Sequence, residues 1–153
     1  MEKYSICMDK KDKKILDLLE LDSGLTTSKI SKKTNIPITT VHNRIQKMKK
    51  EGVIKNFTVN INYEKIGKPL TAYILVAVNQ NLSGDISQQD IGKKIQMYDD
   101  VQNVDIVTGT TDLLIKVRIK SMRELSNLIT NSFRKIKGVD KTQTMMVLES
   151  LDS

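Results

Sequence analysis

The sequence predicts an α+β protein in two parts. An N-terminal winged-type helix-turn-helix domain is joined by a strand linker to a C-terminal ferredoxin-like βαββαβ domain. Three observations carry this reading. Residues 9–52 place apolar side chains at helical spacing in three short blocks, separated by "DSG" and "TNIP". After Gly52 the period changes to two, in "VIKNFTVNI", where Phe57, Val59 and Ile61 alternate. From Leu70 onward, strand-like and helix-like blocks follow in the order βαββαβ. The 153 residues suffice for two small domains. We set their bounds at 1–55 for the helix-turn-helix, 56–69 for the strand and linker, and 70–153 for the ferredoxin-like domain.

The first helix runs from Asp9, a suitable N-cap, to about Leu21, with Ile15, Leu18 and Leu19 on one face. The second covers about Thr27 to Thr34, capped by Thr26 or Thr27. Asn35 then enters the left-handed region at low cost, as a tight inter-helix turn requires. Pro37 lacks an N–H, which suits it to the start of the third helix, about Ile38 to Glu51, which Gly52 ends. At 100° per residue, Ile38, Val41, Ile45 and Met48 form the buried stripe of that helix. Thr39, Asn43 and Lys50 stand opposite, flanked by Gln46 and Lys47, with Thr40 and Arg44 to one side. His42 lies on the other flank, close enough to the stripe to pack against a neighbour.

The outward face combines two kinds of group. Asn43 and Gln46 carry the paired donor and acceptor that match adenine N6 and N7, and Thr39 offers a hydroxyl and a methyl. Lys47, Lys49 and Lys50 suit phosphates instead. In a helix-turn-helix the start of the second helix of the motif enters the major groove, and here the polar readers precede the lysines. Charge distribution agrees. The net charge is +7, and residues 25–55 hold eight basic side chains against one acidic, whereas residues 61–153 hold twelve against eleven. A local excess of this kind marks a polyanion-binding surface, or else a solvated helix face.

In the second half, Leu70–Val78 is a strand apolar on both faces. Asp85–Tyr98 is a helix with Ile91, Ile95 and Tyr98 in register. Val101–Val107 and Leu113–Ile119 are strands. Ser121–Ile136 is a helix with Met122, Leu125, Ile129, Phe133 and Ile136 on one side, and Val139–Glu149 is the last strand. With helices on one face of the sheet, Tyr73, Leu75 and Ala77 face the other way and call for a partner subunit.

Several classes of function are disfavoured. No apolar run approaches 18 residues, so no membrane span is expected. The segment "MEKYSICMDKKDKK" lacks a hydrophobic signal core, and the single cysteine, Cys7, fits a reducing cytoplasm. One histidine and one cysteine, far apart, support neither a Cys–His pair nor a zinc site. No glycine-rich phosphate loop is present. We therefore expect no catalytic residues, no metal and no cofactor. RNA binding through the sheet needs aromatic side chains on the central strands, and residues 101–107 and 113–119 have none. Two readings stay open: a sequence-specific DNA-binding regulator, and an architectural DNA-binding protein with little sequence preference and no effector.

Four stretches in order resemble the Lrp/AsnC family of leucine-responsive and asparagine-operon regulators: "MDKKDKKILDLLELDSG", "TVHNRIQKMKKEGVIKNFTVNINYEKIG", "VTGTTDLLIKVRI" and "KGVDKTQTMMVL". Together they cover nearly the whole chain. The resemblance implies a DNA-binding head, with Thr39, Thr40, Asn43, Arg44, Gln46, Lys47 and Lys50 on its DNA-facing helix. It implies a regulatory domain that binds an amino acid or related effector near a Gly-x-x-Asp turn, here Gly109 to Asp112 with Thr108 beside it. It also implies a homodimer that assembles further, often to an octamer. The chain departs from the family pattern at Pro37, where a capping serine is usual, at Ser31, where a small alanine packs, and at Asn35, where glycine is usual. Thr111 stands where the family has an aromatic or bulky residue. On residue chemistry alone, Gly109 permits a turn and close ligand approach, and Asp112 either accepts from an α-amino group or caps the turn itself. Relatives of this layout that decarboxylate haem precursors rely on histidines of the regulatory domain, and residues 62–153 contain none.

Overall fold

The computed structural model describes residues 8–79 and 87–151; Cys7 and Asp85, named above, lie outside them. The chain divides into two compact units, Met1–Ile61 and Asn62–Ser153.

The first unit has three helices, α1 (Lys10–Leu21), α2 (Thr27–Thr34) and α3 (Ile38–Lys50). Local chemistry sets their ends. The Asp9 carboxylate accepts from the Lys11 and Asp12 N–H groups, while Asp12 accepts from the Asp9 N–H, a reciprocal capping box. Thr26 caps α2 through its hydroxyl. Asn35 takes φ 56°, the left-handed turn residue that separates α2 from α3. Pro37 precedes α3 and supplies no side-chain cap. Ile15, Leu19, Ile30, Ile36, Val41, Ile45, Met48 and Ile54 bury together as the core of this unit.

Two expectations fail here. Ile38 is not part of the buried stripe; it is 50% exposed at the first position of α3. The strand expected from Ile54 to Ile61 forms no ladder among the described residues. A strand needs a hydrogen-bonded neighbour, and this segment runs beside helices. It is held by the Ser23 hydroxyl, which donates to the Thr58 carbonyl at 2.8 Å, and by the Lys49 ammonium, 4.6 Å from the Phe57 ring centre. Phe57, Val59 and Ile61 keep their alternation but stay exposed, Val59 at 75%.

The second unit contains β1 (Leu70–Val78), α4 (Gln88–Gln96), β2 (Val101–Ile106), β3 (Leu113–Ile119), α5 (Met122–Asn127) and β4 (Val139–Met146). The sheet order is β2-β3-β1-β4 with every neighbouring pair antiparallel. This is the ferredoxin-like arrangement. Leu113, Ile115, Val117 and Ile119 of β3 and Ala72, Ile74 and Val76 of β1 form the floor of the core, under Ile91 and Ile95 of α4 and Leu125, Leu128 and Phe133. On the opposite face, Tyr73, Leu75 and Ala77 are half-buried, and Tyr73 sits across from Lys116 and Met145.

The helix expected over Ser121–Ile136 is three pieces: α5, a π-helical turn over Leu128–Ser132, and a 3-10 turn over Phe133–Lys135. The cause is visible in the spacing. Leu128 and Phe133, five residues apart, are both buried, and only a widened turn brings both onto the sheet. The stretch Thr130-Asn131-Ser132 also competes with helix geometry through its own side chains. Met122, expected in the apolar row, is 57% exposed. Tyr98 falls just beyond α4 yet still packs edge-on against Phe133, with centroids 5.6 Å apart. The residues before β1 dock on this unit: the Arg118 guanidinium lies 4.8 Å from the Tyr63 ring centre, and Lys68 pairs with Asp100 at 2.9 Å.

The left-handed turn at Asn35 is testable. Replacement by glycine should leave stability nearly unchanged, whereas Asn35→Val should destabilise by about 1–2 kcal/mol, the cost of a branched side chain in that conformation. Urea unfolding of the two variants checks this.

Candidate nucleic-acid interface and effector turn

Burial of Val41, Ile45 and Met48 fixes which side of α3 faces out. On that side Thr39, Asn43, Gln46, Lys47 and Lys50 are exposed, and Thr40 and Arg44 are half-buried. His42 is exposed, contrary to the packing role expected of it. Lys47 reaches Glu51 only at 3.9 Å and stays 63% exposed, so its ammonium remains available. Thr40, Asn43, Arg44 and Lys47 come together around a shallow concavity of about 350 Å³, whose other lining residues are Asp9 and Asp12. Thr39, Gln46 and Lys50 lie outside it.

Arg44 differs from its expected place on the DNA surface. Its Nη1 donates to Asp9 Oδ2 and to Asp12 Oδ1, both at 2.7 Å, so the side chain serves an internal network. The Asp9 carboxyl is held below its ordinary value, foremost by the Asp12 N–H and further by Arg44 and the Lys11 N–H. Sequence reasoning assigned Asp9 a capping role and gave Asp12 none beside the reading helix. The available signal was the pair of acids three apart at a helix start, with a lone arginine on the outward side of α3.

At the turn between β2 and β3, Thr108, Gly109 and Thr110 are exposed, and Thr111 and Asp112 are half-buried. Gly109 has φ +125° with open space where a Cβ would be, so conformation and not crowding demands glycine there. The Val107 N–H donates to the Asp112 carbonyl, and the Asp112 N–H to the Val76 carbonyl, both at 2.9 Å. The Asp112 carboxylate is engaged at both oxygens: the Val78 N–H donates to Oδ2 at 2.7 Å, and Gln88 Nε2 donates to Oδ1 at 2.6 Å. Asp112 thus ties the end of β1 to the first turn of α4. Gln88 was missed from sequence, since nothing local connects it to a residue 24 positions away.

Among the described residues, no cluster of three or more His, Cys, Asp or Glu side chains could hold a metal ion, and no helix is long and apolar enough to cross a membrane.

A helix-turn-helix with a basic, polar outward face, followed by a ferredoxin-like unit, defines a transcriptional regulator with separate DNA-binding and regulatory parts. Residues 8–55 match the winged helix-turn-helix DNA-binding family model, and residues 71–153 match the Lrp/AsnC ligand binding domain. An uncharacterized HTH-type transcriptional regulator of Pyrococcus abyssi is 35% identical over 144 residues, covering 94% of this chain and 95% of the relative. The HTH-type transcriptional regulator FL11 of Pyrococcus furiosus is 35% identical over 142 residues, covering 93% and 90%. The chain belongs to the Lrp/AsnC family of HTH-type transcriptional regulators. Two solved structures share the fold: a transcriptional regulator of Neisseria meningitidis in complex with L-methionine (TM-score 0.88, 21% identity, covering 95% of this chain and 93% of that one), and AsnC of E. coli (TM-score 0.79, 23% identity, covering 95% of each).

The depressed carboxyl of Asp9 gives a pH prediction. Stability from a lowered acid is present above its ordinary pKa of 3.8 and is lost as pH falls through the depressed value. The urea midpoint of the unmodified chain should therefore fall more steeply below pH 3.8 than that of Asp9→Asn.

Proposed function

We propose that α3 reads base edges in the major groove through Thr39, Thr40, Asn43 and Gln46, while Lys47 and Lys50 hold phosphates. The observation that carries this is the outward row of neutral donor–acceptor side chains at the start of α3, with the lysines after it, on a helix held down by Val41, Ile45 and Met48. Polar side chains near the start of such a helix specify sequence, and lysines supply affinity. On this reading the protein is a cytoplasmic regulator without catalytic activity of its own.

The protein acts as a homodimer that assembles further, to an octamer. Two surfaces support association: the unpaired alternation of Phe57, Val59 and Ile61, and the sheet face bearing Tyr73 and Leu75. Residues 56–69 join the DNA-binding and regulatory domains. The effector is an amino acid or a related small molecule, bound at Thr108, Gly109, Thr110, Thr111 and Asp112. The methionine complex of the Neisseria relative supports that ligand class. In this geometry an α-amino group reaches Asp112 by displacing Gln88 from Oδ1.

Selection of bound duplexes from a random pool defines the site. Against that site, Asn43→Ala should cost about 1–3 kcal/mol and relax preference at one base position. Lys50→Ala should weaken all duplexes alike and lower the salt slope by about 0.9. Equal loss on chosen and random duplexes for Asn43→Ala would show that Asn43 reads no base.

A thermal-shift screen of amino acids, L-methionine included, tests the effector. A ligand at 100 times its dissociation constant should stabilise by about 2.7 kcal/mol. Gln88→Ala should tighten that ligand by up to about tenfold, since it removes the internal competitor, and Asp112→Asn should weaken it. If Gln88→Ala lowers stability and leaves ligand affinity where it was, Asp112 only braces the turn.

A further inference from the structure

The Asp9–Asp12–Arg44 network is more complete than a surface ion pair. Each of its four carboxylate oxygens has a partner. Asp9 Oδ1 accepts from the Lys11 and Asp12 N–H groups at 2.7 and 2.9 Å, and Asp12 Oδ2 accepts from the Asp9 N–H at 3.2 Å. The two remaining oxygens both meet Arg44 Nη1. The capping box that starts α1 is therefore closed by a side chain from the middle of α3. The Asp12 side chain is only 10% exposed, and Arg44 is 25% exposed. Among the described residues Arg44 is the one cation paired with Asp12. Moving the guanidinium to a phosphate would leave a nearly buried carboxylate unpaired, which is the expensive way to break such a pair.

The apolar contacts between α1 and α3 cannot do the same work. Ile15 and Leu19 pack against the stripe of α3 within one core, but apolar contact is non-directional and sets no bond angle. Charge-assisted bonds at 2.7 Å fix distance and angle. They act on α3 beside Thr40, Asn43 and Lys47, which share one concavity with both acids. That concavity carries two carboxylates against one guanidinium and one ammonium, a poor seat for a phosphate.

We propose that Arg44 sets sequence selectivity without touching DNA: clamped by Asp9 and Asp12, it is a positioning residue that fixes the rotation of α3 and hence where Asn43 points. The inference rests on α3 being the reading helix.

The test uses the full chain, a duplex selected from a random pool, and a random duplex, each titrated over a range of salt. Arg44→Gln should weaken the selected duplex about tenfold and the random one less than about twofold, with the slope of log affinity against log salt unchanged. Asp12→Asn should do the same, and the double variant should be no worse than the poorer single one, as for two parts of one device. Asp9→Asn, at the more exposed partner, keeps the test available if Asp12→Asn does not fold. A salt slope lowered by about 0.9 in Arg44→Gln, with tighter binding in Asp12→Asn, would make Arg44 a phosphate contact and overturn the inference. A parallel loss on both duplexes would reduce the network to fold maintenance and overturn it as well. Asn43→Ala separates the two levels: if it spares selective binding, the reading of α3 itself fails, whatever Arg44 does.

Discussion

Val41, Ile45 and Met48 have to leave water, and that requirement organises the first unit. Their spacing places one side of α3 against Ile15, Leu19 and Ile30 and turns Thr39, Asn43, Gln46 and Lys50 outward. The turn at Asn35 and the start at Pro37 deliver the helix to that core from α2. Apolar burial sets which side of α3 faces out but, being non-directional, fixes no exact angle. As the positioning residue we propose, Arg44 supplies the finer orientation through its bonds to Asp9 and Asp12. On the proposed reading, affinity and choice of sequence are divided between lysines and amides of α3, and orientation falls to Arg44 with the acids Asp9 and Asp12 at the start of α1.

The regulatory unit shows the same separation between what holds and what is offered. Its sheet buries one face under α4, α5 and the π-helical turn, and leaves Tyr73, Leu75 and Ala77 half-covered on the other. The turn at Gly109 is held by backbone bonds from Val107 and to Val76 and by the Asp112 carboxylate, so its threonines stand on a braced loop. Both Asp112 carboxylate oxygens already accept a hydrogen bond without a ligand. On the proposed reading an incoming ammonium replaces the Gln88 amide donor, and the gain is the difference between a charged and a neutral partner.

Elements with strong local chemistry were legible in the sequence. Asp9, Thr26 and Asn35 sit where capping and turn preferences put them, and the alternation of Leu113, Ile115, Val117 and Ile119 gives β3 to the residue. What failed needed a neighbour. "VIKNFTVNI" has the period of a strand but finds no ladder partner among the described residues. The row from Met122 to Ile136 reads as one helix until the five-residue step from Leu128 to Phe133 has to meet the sheet. Ile38 and His42 belong by helical spacing at or beside the buried stripe, yet both are exposed. Arg44 and Gln88 are further cases: their partners lie 32 to 35 and 24 residues away, so only the folded chain brings them together.

The acids at the candidate sites, Asp9 and Asp12 in one unit and Asp112 in the other, are thus occupied by the fold itself. Pairing Asp12 with a guanidinium and Asp112 with an amide gives different outcomes. The guanidinium bond is charge-assisted on both sides and resists displacement, so it suits a permanent clamp. The amide bond is charged on one side only, so a ligand ammonium can outcompete it. On the proposed reading, arginine at 44 makes a fixed joint and glutamine at 88 an exchangeable one, using the same acceptor chemistry in both units.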